Sequence, residues 1–126
     1  MEITRAYVKS ILPHRDPEGH KGTFGKVYCL CGAVGYTGAP VLAASAAVRS
    51  GSGLVFLGVP EDIWPIVAVK CDSAMPSPLP SQQGKLALAA EDAVRARIDG
   101  CDAVLIGCGM GRSEESDALT RRLIDM

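Results

Sequence analysis

The sequence is poor in aromatic residues and in histidine. Phe, Trp and Tyr make up 5% of the 126 residues, only two histidines are present, and the net charge is −1. Proteins that bind nucleic acids use aromatic side chains to stack on bases and basic patches to hold phosphates. Because this chain has neither feature, we expect no nucleic-acid partner.

Long apolar runs are also missing. A membrane-spanning helix needs about 20 consecutive apolar residues, and charged residues such as Arg49, Glu61 and Lys70 interrupt every hydrophobic segment before that length. The amino terminus carries Glu2 and Lys9 and has no signal-peptide core. The sequence therefore predicts no membrane partner and a cytoplasmic location.

The cysteines follow no metal-binding or disulfide pattern. Their number is odd and no C-x-x-C pair occurs, although such spacings are typical of zinc sites. We interpret all five as reduced thiols that pack as small hydrophobic side chains, and we predict no metal site. They are Cys29, Cys31, Cys71, Cys101 and Cys108.

Signatures of covalent catalysis are absent too. The sequence contains no G-x-S-x-G motif and no Gly-Lys-Ser or Gly-Lys-Thr of a P-loop. His14 and His20 lie in one charged loop, where both a ligand contact and a solvated side chain fit the pattern. The acidic residues fall mostly at predicted helix starts, where the helix dipole accounts for them. We predict no catalytic residue in this chain.

What the sequence does contain is an alternation of apolar strands and helices. The predicted strands cover residues 27–31, 54–59 and 103–106, and the predicted helices begin at Thr4, Gly38, Pro60, Gly84 and Ser113. The proline-rich residues 71–83 are predicted to form an extended surface loop.

This order implies an α/β fold, a three-layer doubly wound parallel sheet with right-handed crossovers. Only about three strands are predicted, whereas parallel sheets usually extend further and are covered. We therefore predict a truncated domain, and a homo-oligomer, because an open sheet edge and an alanine-rich helix need partners.

Two glycine-rich loops follow the first and third predicted strands. Their glycines are Gly32, Gly35 and Gly38 in the first loop and Gly107, Gly109 and Gly111 in the second. Open α/β sheets bind ligands at the carboxyl ends of their strands, and N–H groups beside glycines bind phosphates. If the two strands are neighbours, the loops form a small-molecule site. Because neither loop has the full dinucleotide fingerprint, tight turns without a ligand are the alternative.

Four motifs in order resemble a known family. They are His20-Lys21-Gly22-x-x-Gly25, Gly32-x-x-Gly35-Tyr36-Thr37-Gly38-Ala39-Pro40, Arg49-Ser50-Gly51-Ser52-Gly53-Leu54-Val55 and Ile106-Gly107-Cys108-Gly109-Met110-Gly111. From Leu12 onward the chain is similar to the ADP- or ATP-dependent NAD(P)H-hydrate dehydratases, the carbohydrate-kinase-like domain of the YjeF type in the ribokinase-like superfamily.

The resemblance implies a lyase that uses ADP or ATP with Mg²⁺ to repair hydrated NADH or NADPH (NADHX or NADPHX). The hydrate is phosphorylated, and loss of phosphate restores the nicotinamide. The resemblance matches Gly38, Ala39 and Gly109 to positions that line the substrate, and we expect Gly35 and Gly107 to join them. Lys21 is a candidate cationic contact, with a solvated lysine as the alternative.

The sequence also departs from the family pattern. Family members are longer, and their second half supplies the adenine-nucleotide site and a Gly-x-Gly-Asp segment with the general base, which is not found here. Cys108 replaces a usual proline, and Asp72-Ser73-Ala74-Met75 replaces a Pro-Glu-x-Met pattern. We therefore predict that residues 1–126 are the N-terminal half of the domain, inactive alone, with the ADP or ATP and Mg²⁺ site mostly outside this chain.

Two other functions are compatible with the sequence. A ribokinase-like small-molecule kinase, of the hydroxymethylpyrimidine or hydroxyethylthiazole type, would share the fold and the glycine turns. A non-enzymatic nucleotide-binding or assembly module would explain the missing catalytic segment. A stable phosphorylated alcohol as product would indicate the kinase, and restored nicotinamide absorbance would indicate the dehydratase.

Overall fold

Four parallel strands form the central sheet. A computed structural model describes residues 2–125, and the sheet order is β3-β2-β1-β6 with every pairing parallel. The strands are β1 Lys26–Leu30, β2 Leu54–Pro60, β3 Met75–Leu79 and β6 Ala103–Ile106, with a separate antiparallel hairpin of β4 Ser81–Gln82 and β5 Lys85–Leu86.

Helices cover both faces of this sheet. They are α2 Gly38–Arg49, α3 Trp64–Lys70, α4 Glu91–Ile98 and α5 Glu114–Ile124, whereas the short α1 Arg5–Ile11 has no buried residue. One core packs α2 and α3 against Cys29, Val55 and Leu57, and the other packs α4 and α5 against Tyr28 and Leu30. Successive residues of β1 thus enter opposite cores, as expected for a strand that is buried on both faces. The predicted three-layer α/β fold is confirmed.

The predicted strand count is wrong, because the proline-rich residues form a fourth strand. Met75–Leu79 pairs with β2 along its whole length, from Phe56 with Met75 to Pro60 with Leu79. Proline lacks the N–H that a central strand needs, which favoured the interpretation as a loop. The strand forms nevertheless because it lies at the edge of the sheet and pairs on one side only.

The helix predicted after Gly84 begins later than expected. Leu86 lies in β5, a short 3₁₀ turn covers Leu88–Ala90, and α4 starts at Glu91. The other predicted elements agree with the structure to within a few residues, including the Thr4 cap of α1 and the Ser113 cap of α5. None of the helices within residues 2–125 has the length and apolar content to cross a bilayer.

Candidate functional site

The two glycine loops lie side by side at the carboxyl edge of the sheet. Residues 32–38 follow β1, residues 107–111 follow β6, and these strands are neighbours with Leu30 paired to Ile106. From β1 the chain continues to β2 on one side, while β6 lies on the other side, so the strand order reverses here. Open α/β sheets bind ligands at such a reversal. We name the two loops together the glycine-loop site.

Direct contacts join the two loops. The N–H of Gly32 donates to the C=O of Cys108 at 2.9 Å. A Cβ built on Gly109 would lie 2.6 Å from the Cβ of Ala39 and 3.0 Å from that of Tyr36. The φ of Gly109 is 67°, in the left-handed region. Both the close approach and this φ require glycine at position 109.

Three of the predicted site glycines border open space. A Cβ built on Gly35, Gly38 or Gly107 would meet no atom of residues 2–125 within 4 Å. Gly35 has a φ of 88° in a turn closed by the hydrogen bond from the N–H of Tyr36 to the C=O of Ala33, at 2.9 Å. A ligand can therefore approach the backbone closely at all three glycines.

Several backbone N–H groups of the site are free to bind a ligand. Within the described part of the chain, the N–H groups of Gly35, Thr37, Gly38 and Gly109 have no protein acceptor. Thr37 is the N-cap of α2 and makes no side-chain cap hydrogen bond. Free N–H groups at a helix N-terminus, together with the helix dipole, attract phosphate and other anions.

The hairpin of β4 and β5 brings a lysine that the sequence analysis missed. The N–H of Val34 donates to the C=O of Gly84 at 2.8 Å, and the Cε of Lys85 lies 3.2 Å from a Cβ built on Gly111. Gln83 and Gly84, with φ values of 51° and 72°, form the two-residue turn. A turn of this kind, with glycine second, is a recognisable hairpin signal in a sequence.

Lys21 lies at the opposite edge of the sheet. Lys21 precedes β1. Its carbonyl oxygen lies so close to Gly53, the residue directly before β2, that a Cβ built on Gly53 would overlap it. The structure therefore separates Lys21 from the five other predicted site residues, which it brings together. The motif around Lys21 forms a turn. The N–H of Gly22 donates to Nδ1 of His20 at 3.0 Å, and the N–H of Thr23 donates to the C=O of His20 at 2.8 Å.

The buried side chains of Tyr28, Cys29 and Cys31 beneath the site are neutral. Burial raises the pKa of Tyr28 to about 12, and burial likewise raises the pKa of the Cys29 and Cys31 thiols. No group of three or more His, Cys, Asp or Glu side chains within residues 2–125 could hold a metal ion. Attraction for an anion can come from the backbone N–H groups and from Lys85.

Comparison with known proteins identifies the family. The family model described as NAD(P)H-hydrate dehydratase matches residues 27–125. The chain belongs to this family. The resemblance inferred from the four motifs is thereby confirmed, and both glycine loops lie inside the matched region, whereas Lys21 lies outside it.

A curated member of the dehydratase family covers almost the whole chain. The "Bifunctional NAD(P)H-hydrate repair enzyme Nnr" of Moorella thermoacetica is 37% identical over 123 residues, which are 97% of this chain and 23% of that protein. The chain thus spans about a quarter of the length of this relative.

Solved structures agree with this assignment. The "ADP/ATP-dependent NAD(P)H-hydrate dehydratase" of Bacillus subtilis, co-crystallised with ATP and Mg²⁺, superposes with a TM-score of 0.74 at 28% identity over 97% of this chain and 41% of that chain. A ribokinase-like superfamily protein of Enterococcus faecalis superposes with a TM-score of 0.77 at 19% identity, over 98% of this chain and 40% of that chain. The predicted ribokinase-like fold is confirmed.

Proposed function

We propose that this chain forms the part of an ADP- or ATP-dependent NAD(P)H-hydrate dehydratase that binds the hydrated nicotinamide nucleotide. The observation that carries this proposal is the set of free N–H groups in the glycine-loop site, inside the region that matches the family. In this proposal the substrate contacts are Gly35, Gly38, Ala39, Gly107 and Gly109.

The physical basis is close backbone contact with an anionic ligand. NADHX and NADPHX carry a diphosphate, and the N–H groups of Gly35 and Gly38 can donate to phosphate oxygens without a side chain in the way. Lys85 supplies a positive charge near the second loop. Tyr36, with 58% of its surface exposed, offers an aromatic face on which a planar ring of the ligand can stack.

In this proposal the chemical step uses groups that this chain does not supply. ADP or ATP would phosphorylate the hydroxyl of the hydrate, and elimination of phosphate would restore the nicotinamide. Residues 2–125 contain no cluster of three or more His, Cys, Asp or Glu side chains that could hold a metal ion, and the sequence has no Gly-x-Gly-Asp segment to supply a general base. We therefore assign substrate binding and orientation to this chain, and no catalytic step.

An NMR titration of the 126-residue chain with NADHX, and separately with NADPHX, tests the proposal. We expect the largest amide shifts at Gly35, Gly38, Gly107 and Gly109. Gly38→Ala places a methyl group where the protein leaves open space, so the fold should persist while the dissociation constant rises at least about tenfold, or about 1.4 kcal/mol.

Gly100→Ala is the matched control, because a Cβ there would make only an ordinary contact, 3.8 Å from the C=O of Arg97. It should leave the dissociation constant unchanged. Amide shifts confined to the cavity lined by Leu12, Arg15 and Phe24, or equal affinity in Gly38→Ala, would contradict the assignment.

We also propose that the protein is a homo-oligomer. Large apolar side chains are exposed on α2 and α3, with exposed fractions of 72% for Leu42, 48% for Ile66 and 84% for Val69. Clusters of exposed apolar side chains commonly mark interfaces. Size-exclusion chromatography with light scattering should give a mass of at least twice 13.2 kDa, and a mass of 13.2 kDa at every concentration would contradict this.

A cytoplasmic location is part of the same proposal. All five cysteines are free thiols, and free thiols are typical of proteins in reducing compartments. Fractionation of cells that produce the tagged protein should place it with cytoplasmic markers. Its appearance in a secreted or periplasmic fraction would contradict this location.

A further inference from the structure

Cys31 and Cys108 are held side by side at the base of the glycine-loop site. Cys31 directly follows β1, and Cys108 lies in the second loop. The N–H of Gly107 donates to the C=O of Leu30 at 3.2 Å, and the N–H of Gly32 donates to the C=O of Cys108 at 2.9 Å. These two hydrogen bonds continue the pairing of β1 with β6 past the strand ends, so the two cysteines occupy adjacent positions on neighbouring chain segments.

Their thiols differ in accessibility. Cys108 also contributes to the raised pKa of the Cys31 thiol, as expected for two neighbouring side chains. Cys31 is fully buried, whereas Cys108 is exposed. An accessible thiol beside a buried one is the arrangement in which an oxidised sulfur can be captured by a second sulfur.

We propose that Cys31 and Cys108 form a disulfide on reaction with a peroxide, which makes the pair an oxidative modification site. The thiolate of Cys108 attacks one oxygen of hydrogen peroxide, the O–O bond breaks, and the released hydroxide takes a proton to become water. The sulfur of Cys31 then attacks the resulting sulfenic acid, and the second hydroxide leaves as water with the proton of Cys31. Two thiols and one peroxide thus give one disulfide and two waters.

The structure also indicates the order of events. Burial raises the pKa of the Cys31 thiol, which keeps it protonated and shielded, so oxidation begins at Cys108. Cys29 lies on the same face of β1 and is also fully buried, but it is paired with Leu105 inside the sheet, whereas Cys31 directly precedes Gly32, whose N–H donates to the C=O of Cys108. The bond is therefore assigned to Cys31.

Such a bond would covalently link the two glycine loops. Cys31 precedes Gly32 of the first loop, and Cys108 lies between Gly107 and Gly109 of the second. The disulfide would fix the spacing between the loops, and a thiol reductant would restore their freedom.

Peptide mapping of the 126-residue chain tests the proposal. The protein is treated with an equimolar amount of hydrogen peroxide, remaining thiols are alkylated, and non-reducing tryptic peptides are sequenced by mass spectrometry. We expect residues 27–49 to be linked to residues 98–112, with the loss of two hydrogen atoms and full reversal by dithiothreitol. Fragment ions from the parent protein distinguish Cys31 from Cys29, and Cys108 from Cys101, without any substitution.

Variants provide the control. Cys108→Ser should abolish the link, and so should Cys31→Ala, whereas Cys29→Ala and Cys101→Ser should leave it unchanged. A link through Cys29 or Cys101, a bond between the Cys108 residues of two chains, or oxidation that stops at a sulfinic acid on Cys108 would each overturn the proposal. Because the parent protein alone assigns the bond, a variant that fails to fold does not affect the outcome.

Discussion

At the residue scale, Gly109 shows how a missing side chain joins two loops. Its φ of 67° is one that residues with a Cβ rarely adopt, and its Cα faces Ala39 and Tyr36 of the first loop. The same contact brings the second loop against the N-terminus of α2, which begins at Gly38. One residue thus determines both the packing of the loops and the geometry of the proposed phosphate site.

Gly109→Ala should therefore destabilise the protein. The new methyl group would lie 2.6 Å from the Cβ of Ala39, and the strained φ adds to the cost, for a loss of about 1–3 kcal/mol in the free energy of unfolding. Urea denaturation followed by circular dichroism measures this. Gly100→Ala, where φ is not positive and the contact is ordinary, should change the free energy by less than about 1 kcal/mol; equal effects of both variants would contradict the explanation.

At the scale of elements, β3 shows how prolines can belong to a strand. Pro76 and Pro78 alternate with Met75, Ser77 and Leu79, so their ring nitrogens all face one side of the strand. The C=O of Pro76 accepts a hydrogen bond from Nε1 of Trp64 at 3.1 Å, which shows that this side faces away from β2. The N–H groups that pair with β2 come from the alternate residues.

This pattern predicts a sharp difference between neighbouring positions. Ser77→Pro should remove an N–H that pairs with β2 and cost about 2–3 kcal/mol of unfolding free energy. Pro78→Ala, on the unpaired side, should cost less than about 1 kcal/mol. Thermal and urea unfolding of both variants measure the difference, and similar losses would show that the alternation does not determine the pairing.

One carboxylate of α4, that of Glu91, forms an ion pair with Arg122 of α5. Glu91 accepts hydrogen bonds from Arg122 at 2.8 Å and from Arg95 at 2.8 and 2.9 Å. The hydrogen bond from Arg122, and then that from Arg95, lowers the pKa of Glu91 below its ordinary value of 4.5. A lowered pKa in the folded state stabilises the protein above pH 4.5, and this contribution is lost as the pH falls through the folded-state pKa.

Glu91→Gln should therefore reduce the fall in the free energy of unfolding that the parent protein shows at acid pH. We expect the variant to lose stability near neutral pH and to approach the parent protein as the pH falls below 4.5. Urea unfolding at a series of pH values measures this. Arg122→Gln should reduce the same pH dependence, and a Glu91→Gln profile parallel to that of the parent at all pH values would contradict the ion-pair explanation.

At the scale of the whole molecule, the proposed function assigns substrate binding to this chain and the chemical step to groups that this sequence lacks. The glycine-loop site lies at the strand-order reversal between β1 and β6. The Gly-x-Gly-Asp segment that the family resemblance associates with phosphate transfer is not in the sequence. Binding of the nucleotide and its turnover should therefore be separable.

We accordingly expect the 126-residue chain to show no ADP- or ATP-dependent recovery of nicotinamide absorbance from NADHX or NADPHX in the presence of Mg²⁺. Without a general base and the amides that stabilise the transferred phosphate, the barrier stays close to that of the uncatalysed reaction. A full-length family member assayed in parallel is the positive control. Turnover by this chain above the no-enzyme rate would refute the proposed separation of substrate binding from the chemical step.

Most of the fold could be predicted because its signals are local. The apolar runs of β1, β2 and β6 and the helix caps at Thr4 and Ser113 lie within single segments of sequence, and the structure confirms them. The strand at Met75–Leu79 could not be predicted in this way, because its pairing with β2 depends on a partner distant in sequence and on its place at the sheet edge.

The sequence by itself determined the alternation of elements and the positions of the glycines in both loops, since each rests on residues adjacent along the chain. Only the tertiary structure decided which side chains join those loops. The pairing of β1 with β6 brings the glycines together, the hairpin turn at Gly84 carries Lys85 to them, and the direction of β1 leaves Lys21 at the far edge. The physical reason is that the two ends of a parallel strand face opposite edges of the sheet, so strand direction decides which residues can share a site.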